Sequence, residues 1–317
     1  MISDGARNKP RVKMFAVAMP SRKLLAAALA LAATALPPSV GAQVVVHSDE
    51  DLASTRPEAW AMNYVAASTL MTGFGPAPVL APGNWQLGAD LGHVPRLDES
   101  QQRVGFTGTK QEDLNRSPVF GRVHALVGLP AGFVADIGYT PPLTIDGIQA
   151  RDMWALSLAR RMYEYQGFSL SLRGFGQYGR VHGDITCPGH LANASPEDNP
   201  FGCREPSDDR IVARLYGVDA TGAWRAGSWN LHGTVGYVRT DLEVNVNALT
   251  ADARDMSKLT SRDSWPFIAA GLTHDIDRRW SVGVELLYVP LKVQREIDGP
   301  TERDPLTSLR MRLLYRF

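Results

Sequence analysis

The sequence predicts an all-β protein: an antiparallel transmembrane β-barrel of about ten strands, with twelve as the alternative, joined by short periplasmic turns and long extracellular loops. Three observations predict it. Some ten stretches carry apolar residues at every second position, aromatic residues bracket the apolar face of several of them, and the connections between stretches alternate in length.

Composition suits this architecture. In 317 residues there are 29 glycines, 21 prolines and seven tryptophans, a mixture that fits many strands joined by turns. Charged residues make up 21% and the formal net charge is zero, which removes a whole-chain electrostatic case for binding nucleic acid or anionic lipid.

The first element is an address. Met19-Pro-Ser-Arg22-Lys23 precedes an apolar run over 24–36, and small residues follow up to Ala42. A basic start, a short apolar stretch and a small-residue cleavage site read as a signal peptide over 1–42, with translation starting at Met14 or Met19 as the alternative. The run is shorter than the ~20 apolar residues that a spanning helix needs, and no apolar stretch of spanning length follows it. Strands that alternate would escape such a hydropathy test, because their two faces average out. Residues 43–83 come next, as a periplasmic lead-in or as a plug folded into the barrel; their acidic start, from His47 to Asp51, reads as a solvated tail.

The barrel is expected over 84–317. Its first strand covers 85–91, with Gln86, Gly88 and Asp90 inside; the next covers 119–127, with Arg122 and His124 inside; then 133–139, with Asp136 and Gly138 inside. Trp154, Leu156 and Leu158 mark a fourth. Phe168, Leu170, Leu172, Gly174 and Tyr178 then alternate with Ser169, Ser171, Arg173 and Gln177. Trp229, Leu231, Gly233, Val235 and Tyr237 repeat the pattern, as do Trp280, Val282, Val284, Leu286 and Tyr288 around Glu285. In the last stretch Leu309, Met311, Leu313, Tyr315 and Phe317 share one parity while Arg310, Arg312 and Arg316 hold the other, a sorting that no helix produces. Stretches 209–220 and 265–274 are strand-like but do not declare an outward face.

Membrane rather than soluble character follows from the rings. Trp229 and Tyr237, Trp280 and Tyr288, and Phe168 and Tyr178 lie eight to ten residues apart on one face. Eight tilted residues rise roughly 20 Å, close to the roughly 25 Å lipid-facing band and its aromatic girdles. Connections over 129–132, 163–167, 221–228 and 275–279 are short; those over 95–117, 141–151, 179–208, 239–264 and 292–305 are long. An even strand count places both chain ends on the periplasmic side. Cys187 and Cys203 share the loop 179–208 and are expected to form a disulfide, worth about 3 kcal/mol for a closure of this length. His182 and His190 lie near, but the paired spacings of zinc sites are absent, so neither a metal site nor a cofactor is expected.

From Arg310 to Phe317 the chain resembles the C-terminal strand of outer-membrane β-barrel proteins, and the stretch 85–317 resembles that class in pattern. The resemblance implies an outer-membrane location, outer-membrane lipid and the barrel assembly machinery as partners, and Leu313, Tyr315 and Phe317 as the assembly signal. Residues 59–67, Ala-Trp-Ala-Met-Asn-Tyr-Val-Ala-Ala, are similar to the N-terminal segment of fatty-acid and hydrocarbon transporters of that membrane, although their polar and small-residue details depart from it.

For function, the residues expected to line the lumen are Arg122, His124, Asp136, Arg161, Arg173, Glu285, Arg310 and Arg312. They read either as an ion-paired network that fills the bore or as a narrow, anion-favouring passage. The expectation is a barrel contributing to envelope permeability or to uptake of a small-molecule cargo through a narrow, largely side-chain-filled lumen. A surface-binding or structural barrel acting through its loops is the alternative. A hydrolase is less favoured, because the adjacent pairs Asp208-Asp209 and His274-Asp275 fall at opposite ends of the barrel and no Gly-x-Ser-x-Gly occurs. No catalytic residue is assigned and no enzyme is expected.

Overall fold

In the computed structural model, which describes residues 44–192, 194–251, 253–296 and 298–317, the alternating stretches form ten antiparallel strands. They are β1 (Trp85–His93), β2 (Val119–Gly128), β3 (Phe133–Thr140), β4 (Ile148–Tyr165), β5 (Phe168–Gly183), β6 (Asp209–Ala226), β7 (Trp229–Asn245), β8 (Lys258–Asp275), β9 (Trp280–Val289) and β10 (Leu306–Arg316). Each pairs with its neighbours in sequence, and β10 pairs with β1 in the register Arg312 to Asp90, so the ring closes. Asp49–Leu52 beside β8 and Thr144–Ile145 beside β4 add two short strands outside the ring. The export segment expected over 1–42 lies outside the described residues.

Burial is inside out, as lipid requires. Leu87, Val123, Leu156, Leu172, Val218, Leu231, Ile268, Leu286 and Met311 are exposed, whereas Gln86, Arg122, Asp136, Arg173, Asp219, Thr234, Glu285 and Arg312 are buried. Rings mark both borders of the apolar band. Trp85 stacks on Phe317 at 3.7 Å between centroids and Trp280 meets Tyr315 at 4.8 Å near the rim of short turns, while Tyr139 meets Trp154 at 4.6 Å near the long loops. The short turns are tight. Gln166 and Gly167 both take positive φ between Tyr165 and Phe168, the geometry of a two-residue hairpin. At the turn before β9, the backbone N–H groups of Trp280 and Arg279 donate to Asp277 at 2.7 and 2.6 Å and hold its carboxyl below the usual carboxylate range.

Several strands run further than the alternation indicates. β4 starts at Ile148, β5 ends at Gly183, β7 reaches Asn245 and β8 begins at Lys258, all inside stretches expected as loops. Beyond the lipid band both faces of a strand meet polar surroundings, so alternation fades while the backbone ladder continues. The stretch 265–274 hides its parity for a different reason. Trp265 and Phe267 point inward and are 3% and 1% exposed, while Ile268 and Leu272 face lipid, so both faces are apolar.

What the inward rings pack against is the helix α1 (Pro57–Ser68), the one helix of more than four residues among those described. Pro57 at its first position and Glu58 in its first turn suit a helix start. It has no polar stripe, because all of its residues except Val65 are buried. Trp60, Tyr64, Leu70, Leu215, Val238, Leu242, Trp265, Phe267, Leu287 and Leu306 form one core in the long-loop half of the bore. A Cβ at Gly236 would lie 2.4 Å from the Phe267 ring, and one at Gly217 2.7 Å from the Phe175 ring, so these glycines in the wall admit the two rings.

The expectation that both chain ends lie at the rim of short turns fits the ring alone. β1 starts and β10 ends there, but the chain ahead of β1 runs the length of the lumen, and Asp49–Leu52 pairs with the far end of β8 at the long-loop mouth. Strand parity fixes only the strands; a segment that crosses inside them adds a traverse that parity does not count.

Candidate functional site

Residues 69–83 leave α1 and descend the bore without regular structure, so their backbone groups need partners from the wall. Five inward arginines and a glutamine supply them. Arg310 donates to the carbonyls of Ala67 at 3.0 Å and Ser68 at 3.1 Å, and also to that of Leu70. Arg122 donates to Thr69 O at 2.9 Å, Arg173 to Met71 O at 2.9 Å, and Arg312 to Gly73 O at 3.1 Å and Thr72 O at 3.3 Å. Gln177 accepts from the Met71 N–H and donates to Thr69 O at 3.1 Å. Nearer the short-turn rim, Arg161 donates to Ala77 O at 2.8 Å, and Gly83 N–H donates to Gly128 O at 2.9 Å as the chain turns into β1.

Carboxylates balance this charge, with histidines beside them. Asp90 receives Arg312 at 2.6 and 2.7 Å, and His124 sits between Asp90 at 2.7 Å and Asp136 at 2.9 Å. Arg173 pairs with Asp219 at 2.5 Å, and the fully buried His232 and Glu285 face each other at 3.3 Å. The eight residues read from the sequence as lining the lumen point into it: five arginines grip the threaded segment, Asp136 and Glu285 carry counter-charge, and His124 bridges Asp90 and Asp136. Arg316 lies at the rim, paired with Asp275 at 2.6 Å. Sequence reasoning missed Asp219, whose strand hid its parity, and Asn63, whose amide joins α1 to the wall by accepting from Thr240 at 3.0 Å and Trp265 at 3.1 Å. The signal for Asp219 was its place opposite Arg173 in the β5–β6 register.

Above the grip lies a cavity of about 320 Å³ between Val65 on α1 and the wall. Leu114, Leu143, Ile145, Ile148, Ala150, Met153, Val181 and Ile211 line it, with Arg122 and Arg116 among its few charges. It adjoins a gap in the ring. The β2–β3 ladder starts only at Val123 opposite Tyr139, and Pro141 and Pro142 end β3, so Val119, Phe120, Gly121 and Arg122 lack a ladder partner on that side among the described residues. The lining takes in lipid-facing Val119 and Val123 as well as lumen-facing Arg122 and Met153.

The long loops are tied over this half. Cys187 and Cys203 form the expected disulfide, with Cα atoms 5.6 Å apart. Asp209 accepts from Thr186 N–H at 2.7 Å, Ser207 Oγ at 2.7 Å and Asn247 N–H at 3.1 Å, so it anchors loop backbone. His274, of the second pair weighed for hydrolysis, stacks on Trp229 at 4.2 Å near the short-turn rim.

No family model and no curated protein matches the chain. Among solved structures, it is similar to the attachment invasion locus protein Ail of Yersinia pestis at 10% identity, covering 75% of this chain and 100% of that one, with a TM-score of 0.30. It is similar to the outer membrane protease OmpT of Escherichia coli at 12% identity, over 74% and 94% of the two chains, with a TM-score of 0.30. For the translocator domain of the autotransporter NalP from Neisseria meningitidis the identity is 14%, the coverage 76% and 91%, and the TM-score 0.39. Their roles differ, and scores of this size carry no functional argument.

Proposed function

We propose that this outer-membrane barrel, exported by a cleaved signal peptide and inserted by the barrel assembly machinery, takes up small apolar molecules and has no catalytic site. The observation that carries the reading is the apolar cavity between α1 and the β2–β4 wall. Its lining matches the general form of a small-molecule site, mostly apolar with a few placed charges. Below it the bore is occupied by residues 69–83, each arginine that would favour an anion being engaged with a carbonyl or a carboxylate. An apolar molecule that enters from the loops therefore leaves sideways, through the gap beside Val119 and Gly121, and the threaded segment keeps ions from following the axis.

A fluorescent naphthylamine probe added to the purified barrel in detergent tests this. Binding with enhanced emission is expected for the native chain, and Ala150→Trp, which fills the cavity from the wall, is expected to weaken it about tenfold or more, the scale on which lost apolar contact acts. Equal probe binding in the two proteins would remove the cavity from the account. A second reading, a surface-binding barrel, is favoured by the exposed strand Val44–Val46, which pairs with Ala253–Asp255; deleting residues 44–46 would abolish partner binding but leave the probe site intact.

A further inference from the structure

The formal net charge is zero, but the charge is not evenly spread. On the outer face of β6, β7 and β8, Tyr216 and Tyr237 close the lipid-facing band on the long-loop side, with Val218 opposite Tyr237 and then Pro266 across the three strands. Two residues further up, on the same face, stand Arg214 on β6 and Arg239 on β7; Arg262 stands on β8 opposite Asp241. Arg214 and Arg262 flank that one carboxylate at 3.6 and 3.9 Å, beyond tight pairing, and their side chains stay 48% and 64% exposed. Arg239 is exposed and makes no ion pair among the described residues. Arg214 also lies over the Tyr178 ring at 5.9 Å. Arg210 and Lys258 continue the patch upward around Glu243, and with the exposed Asp49 and Asp51 on the strand beside β8 five cations face four carboxylates. Among the described residues, Asp241 is the one carboxylate within 4 Å of any of the lower three arginines.

We infer that this patch is a binding site for the phosphate groups of a phosphorylated outer-leaflet glycolipid. Two residues of a tilted strand rise about 5 Å, which sets the three guanidinium groups at headgroup height just above the aromatic belt. Neighbouring strands are about 4.8 Å apart, so Arg214 and Arg262 start roughly 10 Å from each other with Arg239 below and between them, and all three reach one phosphate. Arginine is suited to this because its planar donors match phosphate oxygens in pairs. Lys258 sits against Glu243 at 3.1 Å and Arg210, 3.8 Å from the same carboxylate, lies higher up the strand, which leaves the lower three arginines as the cations nearest headgroup height. The site is separate from the apolar cavity and does not depend on it.

The test uses the full folded chain in detergent and reads the temperature at which it loses its folded, fast-migrating form on a gel. Bisphosphorylated lipid A is expected to raise that temperature in a saturable way, whereas lipid A stripped of its phosphates, inorganic phosphate at the same phosphorus concentration, and phosphatidylcholine are not. Half-saturation by lipid A is expected to weaken about fivefold in Arg239→Gln and by roughly tenfold or more in Arg214→Gln/Arg239→Gln/Arg262→Gln. Arg278→Gln, in a short turn, serves as the control that leaves binding unchanged. Arg239→Gln breaks no ion pair, so its reading stands even where the triple variant folds poorly. An equal shift with the stripped lipid or with inorganic phosphate, or unaltered half-saturation in Arg239→Gln, would overturn the assignment.

Discussion

Glu112 lies in the β1–β2 connection, outside the ring, with both carboxylate oxygens 2.8 Å from Lys110 Nζ. Burial pushes its carboxyl up to about 8, against the pull of Lys110 and with Asp209 and Glu58 adding to the rise. A carboxyl that binds its proton more tightly when folded stabilises the fold while protonated. The contribution is complete below the ordinary carboxyl range near about 4.3 and is lost as pH rises through about 8. Amide hydrogen exchange over residues 103–114, corrected for the intrinsic base dependence, is therefore expected to speed up between pH 6 and pH 9 in the native chain. In Glu112→Gln the corrected rate should be flat, and a flat native profile would refute the linkage.

At the scale of elements, α1 and the thread below it are held by two devices: apolar packing around Trp60 and Tyr64, and charged donors aimed at main-chain carbonyls. Carbonyl recognition does not read side chains, which is why residues 69–83 carry no pattern that betrays their position. The strands of the ring were legible because lipid on one side and a polar interior on the other impose a period of two, and the inward arginines were legible with them. Their purpose was not, since an arginine that faces a lumen looks the same in sequence whether it lines water or holds a peptide. The cavity was illegible for a similar reason: Ala150, Met153, Val181 and Ile211 come from three strands, and only the fold brings them together. Bonds to charged groups contribute about 1.5–3 kcal/mol each, so Arg310→Gln/Arg312→Gln should raise the released fraction of the thread about a hundredfold. In planar bilayers the native barrel is expected to be silent and this variant to show discrete openings. A silent variant would mean that the packing of α1 alone closes the bore.

The barrel is a lopsided cylinder. β4 to β8 hold 16 to 18 residues each, against eight to eleven in the other five strands, so one side of the wall stands well clear of the lipid and carries the disulfide-tied loop. The high side bears the arginine patch, and the low side, at β2 and β3, bears the gap beside the cavity. Tall and short halves thus present different surfaces: the arginine patch on one side, and the gap in the ring on the other. The chain also travels twice along the axis, once as thread and once as its first strand, since Asp49–Leu52 lies at the outer mouth while β1 begins beside Phe317 at the inner rim. A short epitope spliced in directly ahead of Val44 would for this reason be displayed to antibody on intact cells, and the same epitope at Gly227 would stay hidden until the envelope is broken. Residues 44–52 thus form a handle at the long-loop mouth, delivered there by the same stretch of polypeptide that stoppers the barrel.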